Sequence, residues 1–412
     1  MGDFLLRCSE CRLEYGEDPA LLVCPTCAGL QEPGGSMRGV LEVEVARLPD
    51  RWPDESPADP RFLAAFLPVR GPESFPRFPA GGTPLLPVPR LAAHFSLADL
   101  WVKDDTRNPS GSTKDRASLL VAAKAREYNL GTIAAASTGN AGTALAAVGA
   151  AAGLNTVVFV PASAPEAKLV QMLSYGARVV PIHGTYDDAF ELCLAACQEF
   201  GWYNRNTALN PFTVEGKKTA ALEIARSAAH AMPDVVLVPV GDGVILSGVA
   251  KGFADLKTAG LTDRVPRLVA VQPEGSAAIA RAWAAGADDA KPVRGAHSIA
   301  DSLTVEAPRN ARLCLRDIRE SGGGAVTVSD SDIVAAIPIL ASCSGVFAEP
   351  AAAATLAGLE AALSDGLVDR TESVVLLVTG NGLKDVPAAA RAVKRPDPVE
   401  PTLEGVARRL GV

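Results

Sequence analysis

From Leu100 onward, short apolar runs that read as buried strands alternate with alanine-rich segments of helical spacing. No other feature of this sequence restricts its fold so tightly. The runs are Leu100–Lys103, Ile133–Ala136, Thr156–Val160, Arg178–Ile182, Val235–Val240, Leu268–Val271 and Val374–Thr379. Helical spacing is clearest in Lys114–Tyr128, Gly142–Ala152 and Pro165–Tyr175. Strands that are apolar throughout belong to mainly parallel sheets covered on both faces, which predicts a doubly wound α/β fold. In such a fold the functional loops lie at the carboxyl ends of strands.

The chain has 412 residues, enough for about two to three domains. It carries 39 basic against 47 acidic side chains, a formal net charge of -8, so no sequence-wide basic field awaits a nucleic-acid backbone. No apolar run is long enough to span a bilayer: Ala134–Leu154 is rich in Ala and Gly but carries Ser, Thr and Asn. The opening MGDFLLRCSECR has no basic region ahead of a long apolar stretch. No secretory signal is expected, and the expected location is cytoplasmic. The Pro- and Gly-rich stretch from Gln31 to Arg90 reads as a wandering connection. The tail KRPDPVEPTLEGVARRL reads as a proline-broken linker with a short helix.

Four of the eight cysteines form two CxxC pairs, Cys8/Cys11 and Cys24/Cys27, with twelve residues between the pairs. A CxxC turn points both sulfurs at one spot, and two such turns supply a closed tetrahedral thiolate set that suits a structural Zn²⁺. A closed set leaves no open coordination position, so its job is to fold the ribbon. The stretch between the pairs is expected to form a hairpin with the acidic turn GEDP outward. The ribbon's Glu10, Glu14, Glu17 and Asp18 argue against nucleic acid as its partner. Cys193, Cys197, Cys314 and Cys343 read as buried packing.

Four loops carry candidate chemistry. In the first, NPSGSTKDR follows a strand and enters a helix that Ser112 or Thr113 can cap. Lys114 then sits at a helix start, where the dipole disfavours a positive charge and favours a neutral, nucleophilic amine. On this loop alone, a solvated surface lysine reads equally well. In the second loop, Ser137, Thr138, Gly139 and Asn140 open another helix and offer hydroxyls and backbone N–H groups to a carboxylate. In the third, Gly241, Asp242, Gly243, Val244 and Ile245 form a glycine-rich turn suited to a phosphate. That turn has neither the Lys-Ser/Thr of a P-loop nor a dinucleotide fingerprint. In the fourth, Thr379 places a hydroxyl that can face a heteroaromatic ring. A nucleophilic amine, a carboxylate cradle, a phosphate cradle and a ring-facing hydroxyl together fit pyridoxal 5′-phosphate held as a Schiff base.

The wording of these loops resembles the threonine synthase family within the fold type II (tryptophan synthase β-like) pyridoxal-phosphate enzymes, continuously from about Gly81 to Asp385. NPSGSTKDR is similar to the family's NPTGSFKDR, ASTGN is identical, and TGNGLKD is similar to TGHGLKD. PVGDGVILSGVAKGF resembles PVGNAGNITAYWKGF, and EPAAAATLAGL resembles EPASAASVAGL. A four-cysteine ribbon precedes the catalytic body in many members. The resemblance implies two doubly wound α/β domains behind a zinc ribbon of residues 1–33. The small domain would span 108–218, and the large one 34–107 with 219–412. It further implies that Lys114 forms the internal Schiff base and Asn140 meets the cofactor's phenolic oxygen. Gly241 to Ile245 would hold its phosphate, Thr379 would face the pyridine nitrogen, and Ser137 to Asn140 would take the substrate carboxylate. The implied reaction turns O-phospho-L-homoserine and water into L-threonine and phosphate, in a homodimer acting on a small amino acid.

One segment departs from the family pattern. Where the family has NSVNPYRLEGQKT, this chain has TALNPFTVEGKKT, so Thr207, Ala208 and Thr213 replace the Asn, the Ser and the Arg that meet a substrate phosphate. Arg205, Lys217 and Lys218 are the neighbouring candidates to replace that arginine. SIADSLTVEAPRN resembles the serine/threonine dehydratases of the same fold type. A β-eliminating or β-replacing relative, cysteate synthase-like for example, therefore stands as the alternative, with a non-catalytic effector-binding homologue behind it.

Overall fold

The computed structural model describes residues 4–32, 34–162, 164, 166–227 and 232–412. Three sheets organise the chain. The first is antiparallel and joins Phe4–Cys8 (β1) to Glu14–Tyr15 (β2) and Leu41–Val45 (β3), in the order β2-β1-β3. Next in the chain come Leu85–Pro87 (β4) and Asp99–Asp104 (β5), then Thr132–Ala136 (β6), Asn155–Pro161 (β7), Arg178–Ile182 (β8) and Tyr203–Asn204 (β9). The last strands are Val235–Pro239 (β10), Arg267–Pro273 (β11), Gly324–Val328 (β12) and Ser373–Val378 (β13). They build a six-stranded sheet, β12-β11-β10-β13-β5-β4, and a four-stranded one, β8-β7-β6-β9. Every pairing in these two is parallel except β4 with β5.

The apolar strand runs explain this architecture. Along β10, Val235 and Leu237 face one apolar cluster while Val236 and Val238 face another, so the strand is covered on both sides. β13 alternates likewise, with Leu376 on one side and Leu377 on the other. In the smaller sheet Ala134 and Phe159 pack against the helix Tyr186–Phe200, and Val158 and Val160 against Met172 of the helix Glu166–Ser174. The chain is thus α/β with two doubly wound layers, as its alternating pattern predicts. Residue Pro165, where one helix was expected to begin, lies outside the described residues.

The stretch from Gln31 to Arg90 holds more structure than its breakers suggest. Leu41–Val45 is the ribbon's third strand: Leu41 and Val43 are buried, while Glu42 and Glu44 alternate with them. Pro60–Phe66 is a helix started by Asp59, whose carboxylate accepts the Arg61 N–H at 2.8 Å. The acidic turn of the ribbon does not point simply outward. Glu17 reaches the buried amine of Lys124 at 2.6 Å, and the Phe4 and Phe212 rings meet edge to face at 5.7 Å. Both contacts seat the ribbon on the α/β body.

Candidate active site

All four loops follow parallel strands, β5, β6, β10 and β13, and their ends converge on one cavity of about 1080 Å³. Lys114, Ser137, Thr138, Gly139, Asn140, Gly241, Asp242, Gly243, Val244, Ile245 and Thr379 all line it. Residues as far apart in sequence as Lys114 and Thr379 thus share one wall because they sit at equivalent ends of their strands.

Lys114 is the first residue of the helix Lys114–Glu127. The expected cap is not formed: Thr113 has a helical backbone and no side-chain cap bond, and the hydroxyls of Ser112 and Thr113 are buried without partners. Backbone pairing orders the loop instead. The Thr113 N–H donates to the Thr379 carbonyl at 2.8 Å, the Asn381 N–H to Gly111 at 2.9 Å, and Ser112 bridges Gly380. The lysine loop and the Thr379 loop are therefore one stitched unit. Beneath it, Arg116 donates to Asp105 at 2.7 and 2.8 Å and to Glu223, which also accepts Lys103 at 2.6 Å, all of them buried. Burial, and next the positive charge of Arg205, bring the Lys114 amine down from 10.5 to about 8; Glu349 and Asp242 oppose them.

Ser137 organises the second loop, its hydroxyl accepting the Gly142 N–H at 3.0 Å and the Gly139 N–H at 3.2 Å. Asn140 is buried; its Nδ2 donates to Glu349 Oε1 at 2.6 Å, and its Oδ1 has no partner. Burial raises the Glu349 carboxyl above the usual range. In the third loop, Gly243 has φ of +91°, and a Cβ there would lie 2.7 Å from Cys314 Cβ, so only glycine fits. The helix Val244–Thr258 that follows has no side-chain cap, which leaves its first N–H groups facing the cavity. Asp242 is pinned by the Arg309 and Asn310 N–H groups, each at 3.1 Å.

Several wall residues lie outside the expected cofactor and carboxylate contacts. Glu349 follows the Ala348–Asn381 bridge and accepts from Asn140. Its motif, EPAAAA, was matched above without a role. Arg205 and Tyr186 line the wall from the small sheet, and Gln31, Glu32 and Met37 line it from the ribbon's end. The Met37 N–H donates to Arg309 O at 2.9 Å, which fastens that segment to the cavity rim. The ribbon therefore reaches the site as well as folding itself.

These residues fit pyridoxal phosphate. The pocket pairs an uncapped helix start with an amine of lowered pKa, and the orphaned Asn140 oxygen and two orphaned hydroxyls await a polar ligand. The family described as pyridoxal-phosphate dependent enzyme matches residues 77–380, and that is the class the fold and site define. A threonine synthase of Methanosarcina acetivorans is 36% identical over 406 residues, 97% of each chain. Another, of Methanocaldococcus jannaschii, is 34% identical over 96% of each. Diaminopropionate ammonia lyase from Escherichia coli shares the fold at a TM-score of 0.66 and 20% identity, covering 78% of this chain and 89% of that one. O-ureido-L-serine synthase does so at 0.64 and 24%, covering 77% and 95%. The chain belongs to the threonine synthase family of pyridoxal-phosphate-dependent enzymes.

At the ribbon, the four sulfurs of Cys8, Cys11, Cys24 and Cys27 lie within 4.8 Å of one another, a spacing that can hold a metal ion. Tyr15 Oη sits 3.0 Å from Cys24 Sγ, and the Glu10 N–H points at Cys8 Sγ at 3.4 Å. Cys193, Cys197 and Cys314 are buried and Cys343 half-buried. Among the described residues no helix is long and apolar enough to cross a membrane.

Proposed function

We propose that the chain is a carbon–oxygen lyase that converts O-phospho-L-homoserine and water to L-threonine and phosphate. The observation that carries this reading is the convergence of Lys114, the STGN loop, the Gly241–Ile245 turn and Thr379 on one cavity. Threonine synthase relatives that span nearly the whole chain support it. Pyridoxal phosphate, when bound, supplies an electron sink for negative charge at the substrate's α-carbon.

The side chains divide the remaining work. Lys114 would hold the cofactor through its amine and, with that amine free, would take the substrate's α-proton as general base. Its lowered pKa keeps a usable fraction neutral near physiological pH. The N–H groups of Gly241, Asp242, Gly243, Val244 and Ile245 would take the cofactor phosphate. The Thr379 hydroxyl would meet the pyridine nitrogen, and a hydroxyl there, unlike a carboxylate, would not enforce ring protonation. Asn140 would meet the phenolic oxygen, and Ser137 to Asn140 would hold the substrate carboxylate.

The same reading places a structural Zn²⁺ on the four ribbon cysteines. It divides the chain into a ribbon (1–33), a small domain (108–218) and a large domain (34–107 with 219–412), assembled as a homodimer. The test is a substrate panel of phosphohomoserine, serine, threonine and phosphoserine, read for phosphate and for 2-oxo acid. Phosphate from phosphohomoserine is expected; rapid serine deamination without it would overturn the reading in favour of a β-eliminating relative.

A further inference from the structure

The wall holds a buried cation that the sequence offers only as one of three candidates beside the altered phosphate segment. Arg205 is 1% exposed, yet it contributes to the cavity lining. Its Nε donates to Ser118 Oγ at 3.2 Å and its Nη1 to Thr207 Oγ1 at 3.0 Å, while Nη2 has no partner. Both acceptors are neutral hydroxyls. Other cations nearby are paired: Arg309 with Asp187 at 2.9 Å, Lys218 with Glu215 and with Asp255 at 2.8 Å, and Lys168 with Asp301 at 2.9 Å. Asp115, whose charge reaches Arg205, is itself committed to the Ser110 N–H at 2.7 Å and to the Ser110 hydroxyl. Among the described residues of this wall, Arg205 is thus the buried guanidinium without a carboxylate partner.

A buried, unpaired charge is costly, and it persists where a counter-charge arrives with a ligand. The backbone fixes where that ligand meets it. The Arg205 N–H donates to the Ala134 carbonyl at 2.8 Å, and Asn206 Oδ1 accepts the Ala136 N–H at 2.7 Å. Arg205 is therefore tied to β6, the strand that ends in Ser137–Asn140. Ser118, its other anchor, lies one helical turn beyond Lys114 and on the same side of that helix. Arg205 is thus anchored both to the Lys114 helix and to the strand that leads into the carboxylate cradle. The Gly241–Ile245 turn that suits the cofactor phosphate comes instead from β10, in the other sheet.

Thr213, which stands where the family has its phosphate arginine, cannot do this job. It is fully buried, does not line the cavity, and spends its hydroxyl on the Asn210 carbonyl at 2.7 Å. Lys217 is also buried and donates to the Thr213 carbonyl at 2.9 Å.

We infer that Arg205, oriented by the hydroxyls of Ser118 and Thr207, is the specificity residue that binds the substrate's phosphate in place of the missing arginine. The inference rests on the proposed reaction and says which residue selects a phosphorylated side chain. A planar guanidinium with a free Nη2 can donate to phosphate oxygens, as lysine's point charge does less well.

The test uses the holoenzyme, with Arg205→Gln and Arg205→Lys variants. Arg205→Gln is expected to raise KM for phosphohomoserine about 10- to 150-fold, the loss of one charge-assisted hydrogen bond. It should weaken inhibition by inorganic phosphate to a similar degree and leave coenzyme content and absorbance unchanged. Arg205→Lys should recover part of the loss. An unchanged KM and unchanged phosphate inhibition in Arg205→Gln would overturn the assignment. So would loss of coenzyme from both variants, which would place the guanidinium on the cofactor phosphate. Thr207→Val keeps the test open should neither variant fold: a KM increase of a few-fold is expected, and none overturns the assignment. If the wild type releases no phosphate from phosphohomoserine, the proposed reaction fails. The inorganic phosphate titration, followed by absorbance, then still decides whether Arg205 binds an anion.

Discussion

Coenzyme capture by the apo-protein should follow the ionisation of Lys114, because only the neutral amine attacks an aldehyde. Burial and the Arg205 charge bring that amine from 10.5 to about 8. At pH 7 a group of pKa 8 is neutral in roughly 9% of molecules and one of 10.5 in roughly 0.03%, so the fold supplies about 300-fold more nucleophile. Stopped-flow absorbance after mixing apo-protein with pyridoxal phosphate reads the rate directly. It should climb about tenfold per pH unit below 8 and level off above it. Two substitutions should move the midpoint in opposite directions. Glu349→Gln removes a carboxylate that holds the pKa up, so the midpoint falls; Arg205→Gln removes a cation that holds it down, so the midpoint rises. A rate that is flat between about pH 6.5 and 9.5, or one still climbing tenfold per unit near pH 10, refutes this account of Lys114. Midpoints that shift the same way in both variants refute its assignment to these two charges.

Two further outcomes follow from the buried charges and the ribbon. Glu223→Gln leaves Lys103 and Arg116 short of a counter-charge and should lower stability by about 3–5 kcal/mol, read from the urea midpoint. Burial works to raise the Glu223 carboxyl, but Arg116 and Lys103 outweigh it and hold it below the usual range. Its stabilisation is therefore complete at neutral pH and lost as pH falls through and below the ordinary carboxylate pKa; a wild-type acid midpoint no different from that of Glu223→Gln argues against it. Metal analysis should find one zinc per chain, lost in Cys8→Ser. Because Gln31, Glu32 and Met37 line the cavity, that loss should raise KM before it lowers kcat; a zinc-free wild type with normal KM removes the ribbon from the site.

Much of the body is legible because parallel strands covered on both faces are apolar throughout. Arg178–Ile182 matches its expected span, and the other six runs fall within two residues of theirs. Strands that lack this cover are harder to read. Gly324–Val328 is an edge strand with exposed Thr327, and Tyr203–Asn204 has only two residues, too few to show a period. Leu41–Val45 did carry a signal in its Leu-Glu-Val-Glu-Val alternation, but the surrounding Pro and Gly residues hid it. The four loops were readable because each follows one of the clear strands. Arg205 is legible only as one of three neighbouring candidates and Glu349 not at all, because their importance lies in what each lacks or meets. One has an unsatisfied Nη2, and the other pairs with Asn140, a residue 209 positions away. No local pattern encodes either fact.

The polar contacts around the cavity are unequal, and the inequality shows which of them part more cheaply. Beneath Lys114, Arg116, Asp105, Glu223 and Lys103 form a closed set of buried charges. Parting any of them leaves a charge uncompensated, at about 3–5 kcal/mol. On the STGN side, where Ile133, Ala135 and Leu145 also pack on Leu119 and Leu120 of the Lys114 helix, the polar contacts across the cavity are single bonds. Asn140 donates to Glu349 at 2.6 Å, and Lys168 pairs at 2.9 Å with Asp301, whose side chain is half exposed. Lys384 adds hydrogen bonds to neutral oxygens of Thr143 and Gln171 at 3.2 and 2.8 Å. Each of these is worth about 0.5–3 kcal/mol net, and water can replace the Asp301 contact. The amine and the Thr379 loop stitched to it therefore rest on the more strongly held polar contacts of the site. The bonds from the STGN side to Glu349, Asp301 and Lys384 are the polar contacts of the site that cost least to part, while Arg205 joins the cradle strand to the Lys114 helix through Ser118.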